Sequence, residues 1–234
     1  MEIEQKNQNN NNFEDIMELF ELDYIYENKP IKRTIYEPSL KDKQSLLENL
    51  KLKIQNISNC ELKKNSKQIV FNDGDPQSPI MIVGEGPGQK EDEIGKPFVG
   101  DAGVLLNKML DAINIKRSKV YITNVVNYRP PNNRKPQLSE INRYAVFLRE
   151  HINIIDPKIL ILMGSTAMEA LFGKTLKISE ERGKWKEVII NQKTYKIILT
   201  FHPAYLLRQP DQKKYSWEDL KIIRKRINEL KISF

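Results

Sequence analysis

Cysteine is almost absent from this chain: Cys60 is the only one in 234 residues. A single thiol rules out an internal disulfide framework. It also rules out a four-cysteine metal or iron–sulfur site held within one chain. Histidine is nearly as scarce. His151 and His202 lie far apart with no cysteine beside either, a poor donor set for zinc. No apolar run approaches the roughly 18 residues of a membrane-spanning helix, so no membrane partner is expected. The first thirty residues are acidic and asparagine-rich, unlike a secretory signal, and a cytoplasmic protein is expected. Glycines 84, 86 and 88 are spaced G-x-G-x-G around a proline, which is not the dinucleotide fingerprint. No Gly-Lys-Ser/Thr follows them, which excludes a Walker loop.

What is present fits one α/β domain with spare length at the N-terminus. Lys+Arg number 38 against 31 Asp+Glu, a net charge of +7. That surplus either favours an anionic partner such as nucleic acid or solvates a composition rich in Ile, Asn and Lys. Residues 1–12 are too polar to fold alone. Helical patterns cover 13–26 and 40–55, with Pro30 and Pro38 in a linker between them. Residues 1–55 therefore read as an N-terminal extension and 56–234 as the main domain.

Within that domain four apolar segments read as core strands: 80–84, 119–126, 159–163 and 195–201. The run Ile159-Leu160-Ile161-Leu162-Met163 has no alternation, as a strand covered on both faces requires. Helical stretches near 101–114, 138–153, 165–172 and 216–230 separate them, with Asp101 a candidate cap for the first. Strand–helix–strand order at this spacing predicts a three-layer α/β/α fold around a central, mostly parallel four-stranded sheet. Trp185–Ile190 and Lys193–Leu199, joined by Asn191-Gln192, read as an edge hairpin.

The chemistry concentrates where strands end. Ile80-Met81-Ile82-Val83 empties into Gly84-Glu85-Gly86-Pro87-Gly88, then Glu91-Asp92, then Gly95-Lys96-Pro97-Phe98-Val99-Gly100. Such a turn lies at the carboxyl edge of a sheet, where α/β proteins bind ligands. Glu85, uncrowded between glycines, either orients a water or caps the next segment. Glu91 and Asp92 can anchor the loop through backbone N–H groups. Phe98 either stacks on a flat base or plugs the core. Asn124, among apolar neighbours late in its strand, can read a carbonyl and a ring N–H on one base edge, or tie loops together. His202 stands just past a strand and before Pro203. A neutral imidazole there can donate to a carbonyl that gains negative charge. Arg129, Arg134 and Lys135 bracket Pro130-Pro131. Leu206, Leu207 and Arg208 place aliphatic side chains beside a cation, a combination able to wedge a duplex. The run Lys221, Arg224, Lys225, Arg226 reads as a solvated helix face.

Taken as a set and in this order, these motifs resemble family 4 of the uracil-DNA glycosylase superfamily over roughly residues 56–230. The quoted segments are joined by Thr123-Asn124-Val125-Val126, Arg129-Pro130-Pro131 with Asn133-Arg134, and His202-Pro203-Ala204-Tyr205-Leu206-Leu207-Arg208. The resemblance implies that uracil is hydrolysed from deoxyuridine in single- and double-stranded DNA by a monomer. It implies that Glu85 handles the water and His202 the departing base. Phe98 would stack on uracil and Asn124 would read it. Gly84 and Gly86 would shape the pocket, and Glu91 or a residue beside it would obstruct a thymine methyl group. Arg129, Arg134, Leu206, Leu207 and Arg208 would contact DNA. Most members of the family carry a [4Fe–4S] cluster on four cysteines. The matching positions here are Ile57, Cys60, Tyr128 and Tyr144, so no cluster is expected, and the tyrosines and isoleucine can fill its volume. A protein of this fold that binds damaged DNA without turnover is the competing reading.

Overall fold

The computed structural model describes residues 39–173 and 177–233. The expected helix over 13–26 and the linker prolines lie outside the described residues. In chain order the helices are α1 (Leu40–Gln55), α2 (Glu61–Lys64), α3 (Gln89–Ile94), α4 (Asp101–Asp111), α5 (Leu138–Ile155), α6 (Ser165–Phe172), α7 (Ile178–Glu181), α8 (Pro203–Arg208) and α9 (Lys213–Glu229). The strands are β1 (Asp73–Gly74), β2 (Ile80–Gly84), β3 (Tyr121–Asn124), β4 (Ile159–Met163), β5 (Trp185–Ile190) and β6 (Lys193–Thr200). They form one six-stranded sheet in the order β1-β3-β2-β4-β6-β5.

The expectation of four strands is corrected here to six in a mixed sheet. The inner four, β3, β2, β4 and β6, run parallel. Each edge carries an antiparallel strand, β1 against β3 and β5 against β6. β1 is two residues long and carries no periodicity to read. β5 is the first arm of the expected hairpin, with Asn191 and Gln192 both in the left-handed region at its turn.

Side chains alternate across the sheet and feed two cores. Met81, Val83, Tyr121, Leu160, Leu162, Ile197 and Leu199 point to one side, with Leu50, Ile54, Tyr144, Leu148 and Ile152 of α1 and α5. Ile80, Ile82, Ile122, Ile159, Ile161 and Ile198 point to the other, with Leu106, Leu110, Ile223 and Ile227 of α4 and α9. Each such side chain, fully buried, contributes roughly 1.5–3 kcal/mol of transfer free energy. Three layers follow from cores on both faces of one sheet. Helix α1 buries Leu47, Leu50 and Ile54 and belongs to the same compact unit as the sheet.

Helix ends follow local chemistry. Helix α5 buries residues 141, 144, 148, 152 and 155 at helical spacing and runs to Ile155, two residues beyond the expected end. It stops where Asp156 turns left-handed before Pro157. Gly100, not Asp101, takes the N-cap of α4. Behind β6, Asp219 is fully buried and accepts from Arg182 Nε at 3.0 Å and Thr200 Oγ1 at 2.8 Å. Arg182 also lies over the ring of Phe201, the residue just ahead of His202. Among the described residues no helix is long and apolar enough to cross a membrane.

Candidate active site

Parallel strands end on one edge, and four of them deliver side chains to it. In the ladder Gly84 stands opposite Asn124 and Met163 opposite Thr200. The residues just past those ends surround a cavity of about 430 Å³, inside the range of roughly 300–1,000 Å³ usual for small-molecule sites. Glu85, Gly86, Glu91, Phe98, Asn124, Arg134, His202 and Arg208 all line it.

Phe98 is 5 % exposed and holds a left-handed backbone, φ +53°. Two devices hold that strained conformation. The Glu91 carboxylate accepts from the N–H groups of Gly88 (3.1 Å), Val99 (2.9 Å) and Gly100 (2.7 Å). From the other side the Arg117 guanidinium donates to the carbonyls of Phe98 (3.0 Å) and Pro97 (2.6 Å), while Asp73 accepts from its Nε. Asp92 fastens α3, the helix that carries Glu91, by accepting from Lys67 N at 2.9 Å. Glu91 thus holds the loop that presents Phe98, and its oxygens are occupied by backbone amides. Arg117 was not singled out from the sequence, because it sits 19 residues from Phe98 in no recognisable motif.

Asn124 is 3 % exposed, at the end of β3, and its amide makes no hydrogen bond to another described residue. It borders the cavity. His202 caps α8, and its Nδ1 accepts from Ala204 N–H at 3.2 Å. In the neutral ring that assigns the proton to Nε2, which is left to donate. The ring lies 5.3 Å from Phe98, centroid to centroid, at an interplanar angle of 28°.

Burial, and secondarily the Arg208 charge, push the His202 pKa down to about 4. The ring keeps some access from the cavity, but protein atoms surround it on the other sides. His151, buried against Tyr121 Oη and stacked on Phe71, is pushed down by burial to about 3. Both rings are neutral in the fold at pH 7 and protonate more readily unfolded, where the ordinary value is about 6.5. Their contribution to stability is therefore full above pH 6.5 and is lost as pH falls through about 4 and then 3. An NMR titration is expected to show both imidazoles neutral at pH 5.5, with less urea needed for unfolding at pH 4.5 than at pH 7. A His202 midpoint near 6.5 would contradict this.

Glu85 is half-buried, and its carboxylate accepts from the hydroxyl of Thr166 at the start of α6. Thr166 also escaped the sequence reading. The signal was there, because Gly164-Ser165-Thr166 follows the buried run 159–163 and so lies at the same sheet edge.

The residues expected to touch DNA divide. Arg208 is exposed at the cavity rim. Arg134 lines the cavity but forms a two-pronged ion pair with Glu140 at 2.7 and 2.8 Å. Arg129 bonds Asn133 and lies outside the cavity wall. Leu206 requires a correction. Residues 203–208 form a helix rather than a loop, and its periodicity turns Leu206 inward at 1 % exposure with Pro203. Leu207 faces outward at 44 % exposure.

Comparison with known sequences decides the family. The profile of the uracil DNA glycosylase superfamily matches residues 71–224. A type-4 uracil-DNA glycosylase of Thermotoga maritima is 40 % identical over 167 residues, 71 % of this chain and 85 % of that protein. One from Sulfurisphaera tokodaii is 39 % identical over 186 residues, covering 76 % and 83 % respectively. One from Pyrobaculum aerophilum is 38 % identical over 168 residues, covering 70 % and 86 %. The chain is a type-4 member of the uracil-DNA glycosylase superfamily. It is accordingly an enzyme of this hydrolase family, with a DNA-repair glycosylase function of that general kind.

This type-4 glycosylase lacks the donors for the iron–sulfur cluster usual in its family. Of the four matching positions only Cys60 supplies sulfur, and Cys60 is the chain's sole cysteine. Its Sγ lies 3.4 Å from Tyr144 Oη, and Tyr128 joins them in the core with Ile57 packed alongside. Burial first, then Cys60, holds both phenols above their ordinary pKa. One thiol among two phenols and an isoleucine does not fit a four-thiolate cluster, and the space is occupied by side chains. Among the described residues no three His, Cys, Asp or Glu side chains form another metal-binding group.

Proposed function

We propose that this chain hydrolyses the N-glycosidic bond of deoxyuridine in DNA, releasing uracil and leaving an abasic site. The observation that carries the proposal is the gathering of an acid, an amide, an imidazole and a phenylalanine around one cavity. The target nucleotide leaves the stack, and exposed Leu207 fills the gap. Phe98 takes a face of the base. Asn124 donates to O4 and accepts from N3–H. Cytosine reverses that pattern, with a donor at C4 and an acceptor at N3, and is rejected.

As the C1′–N1 bond breaks, its electron pair stays with the uracil ring and the sugar becomes cationic. His202 Nε2–H donates to O2 and stabilises the anion. The Glu85 carboxylate favours the sugar cation and orients a water whose oxygen bonds C1′, accepting the proton released. Arg208 and the net charge of +7 support docking of a monomer on single- or double-stranded DNA.

Uracil release from labelled oligonucleotides, single-stranded and paired opposite guanine, tests this directly. Release from both is expected, undiminished by a strong chelator, with thymine and cytosine strands left intact. Tight binding of uracil-DNA with no release would instead support the reading of a damage-binding protein without turnover.

A further inference from the structure

We propose that Thr166 is a positioning residue for the reaction: its hydroxyl fixes the Glu85 carboxylate so that one oxygen faces the attacking water. The proposal rests on the uracil-hydrolase reading above and adds a residue to it.

Glu85 stands between Gly84 and Gly86, so no neighbour in its own turn holds its flexible side chain. A carboxylate with free rotamers presents its oxygen to C1′ only part of the time. Thr166 removes that freedom. It is fully buried in the first turn of α6, and its Oγ1 donates to Glu85 Oε2 across 81 residues of sequence. Helical threonine hydroxyls often bond a carbonyl three or four residues back. This one instead reaches a different strand end, and its branched Cβ gives the donor little χ1 freedom. Oε1 is left to accept from water.

The same junction also bounds the imidazole. Gly164 turns the chain out of β4 at φ +93°, and a Cβ there would lie 3.2 Å from His202 Cβ. One strand-to-helix turn, Gly164-Ser165-Thr166, therefore sets the acid through a hydrogen bond and leaves room for the imidazole through a missing side chain. The two groups that act on opposite ends of the breaking bond are referred to one rigid element, which is the geometric condition for a near-attack arrangement.

Single-turnover uracil release and affinity for a non-cleavable uracil-DNA analogue, measured for Thr166→Val, Thr166→Ser and Glu85→Gln, test the proposal. Thr166→Val keeps shape and burial but removes the donor. It is expected to slow release by about 10–100-fold with affinity changed less than twofold. Thr166→Ser should recover most of the rate. In the Glu85→Gln background, adding Thr166→Val should cost almost nothing further, because the carboxylate it positions is gone. Thr166→Ala, which needs no space, carries the same expectation should the valine variant melt. Wild-type rates in Thr166→Val, failure of serine to rescue, or an equal loss in the Glu85→Gln background would overturn the role of Thr166. Failure of the wild-type chain to release uracil would instead overturn the reading beneath it.

Discussion

Replacing His202 by alanine is expected to slow uracil release by about 10²–10³-fold, the loss typical of one preorganised donor to a developing anion. Replacing Glu85 by alanine is expected to cost about 10²–10⁴-fold, the range for a positioned acid–base group. Affinity for uracil-DNA should hardly change in either, because in the proposed reaction both groups act on charge that appears only as C1′–N1 breaks. His202 has a second job to be separated from the first, since its Nδ1 caps α8 by accepting from Ala204 N–H. Asparagine is also a good cap but has no imidazole. His202→Asn should therefore keep the melting temperature and lose the rate. A His202→Asn protein with wild-type release would show that the ring serves the helix and not the base. The double variant Glu85→Ala/His202→Ala should be slower than either single change by much less than the product of their effects, as residues acting together in one step are strongly non-additive. Loss of DNA binding in parallel with activity would instead assign both residues to docking.

Much of this site was legible because the chain repeats one grammar: a buried strand followed by a turn carrying polar residues. Residues 80–84 and 159–163 could be read as strands since continuous apolar runs bounded by turns leave few alternatives. Parallel order then placed Glu85, Asn124 and His202 at one edge without any knowledge of distances. What stayed hidden depends on contacts between distant segments. Thr166 stands at a legible sheet edge, but its bond to Glu85, like the bonds of Arg117 to the Phe98 loop, joins segments that no local pattern connects. Two-residue β1 exists only because β3 is there to pair with it. Leu206 was misplaced for a different reason. Residues 203–208 are too few to show helical periodicity, although Pro203 at the first helical position was a sign of it. The lack of four thiolates was legible from composition alone, whereas the positions matched to cluster ligands came from the family resemblance. A chain with one cysteine cannot supply four thiolates, and the tyrosines at 128 and 144 are large enough to need the core that they fill.

Gly84→Ala is expected to lower uracil release by at least about 10²-fold while the protein stays folded. Gly84 lies directly opposite Asn124 in the parallel ladder and beneath the edge of Phe98. A Cβ there would fall 2.5 Å from Asn124 Oδ1 and 2.5 Å from Phe98 Cζ, well inside contact distance. The backbone at 84 is not in the left-handed region, so alanine meets no conformational barrier of its own. The conflict falls on two side-chain ends that can swing away, and overpacking of this kind costs about 1–3 kcal/mol. The two that must move are the amide proposed to read the base and the ring proposed to stack on it. A shift of about 1 Å in positioning groups is enough for a 10²-fold loss. Because the proposed reaction gives Asn124 the choice between uracil and cytosine, the preference for uracil-containing strands should weaken together with the uracil rate. Melting curves, release from uracil- and cytosine-containing strands, and a structure of the variant would separate these effects. A folded Gly84→Ala protein with wild-type release would mean that Asn124 and Phe98 tolerate displacement. The slot formed by the two side chains would then not be what recognises the base.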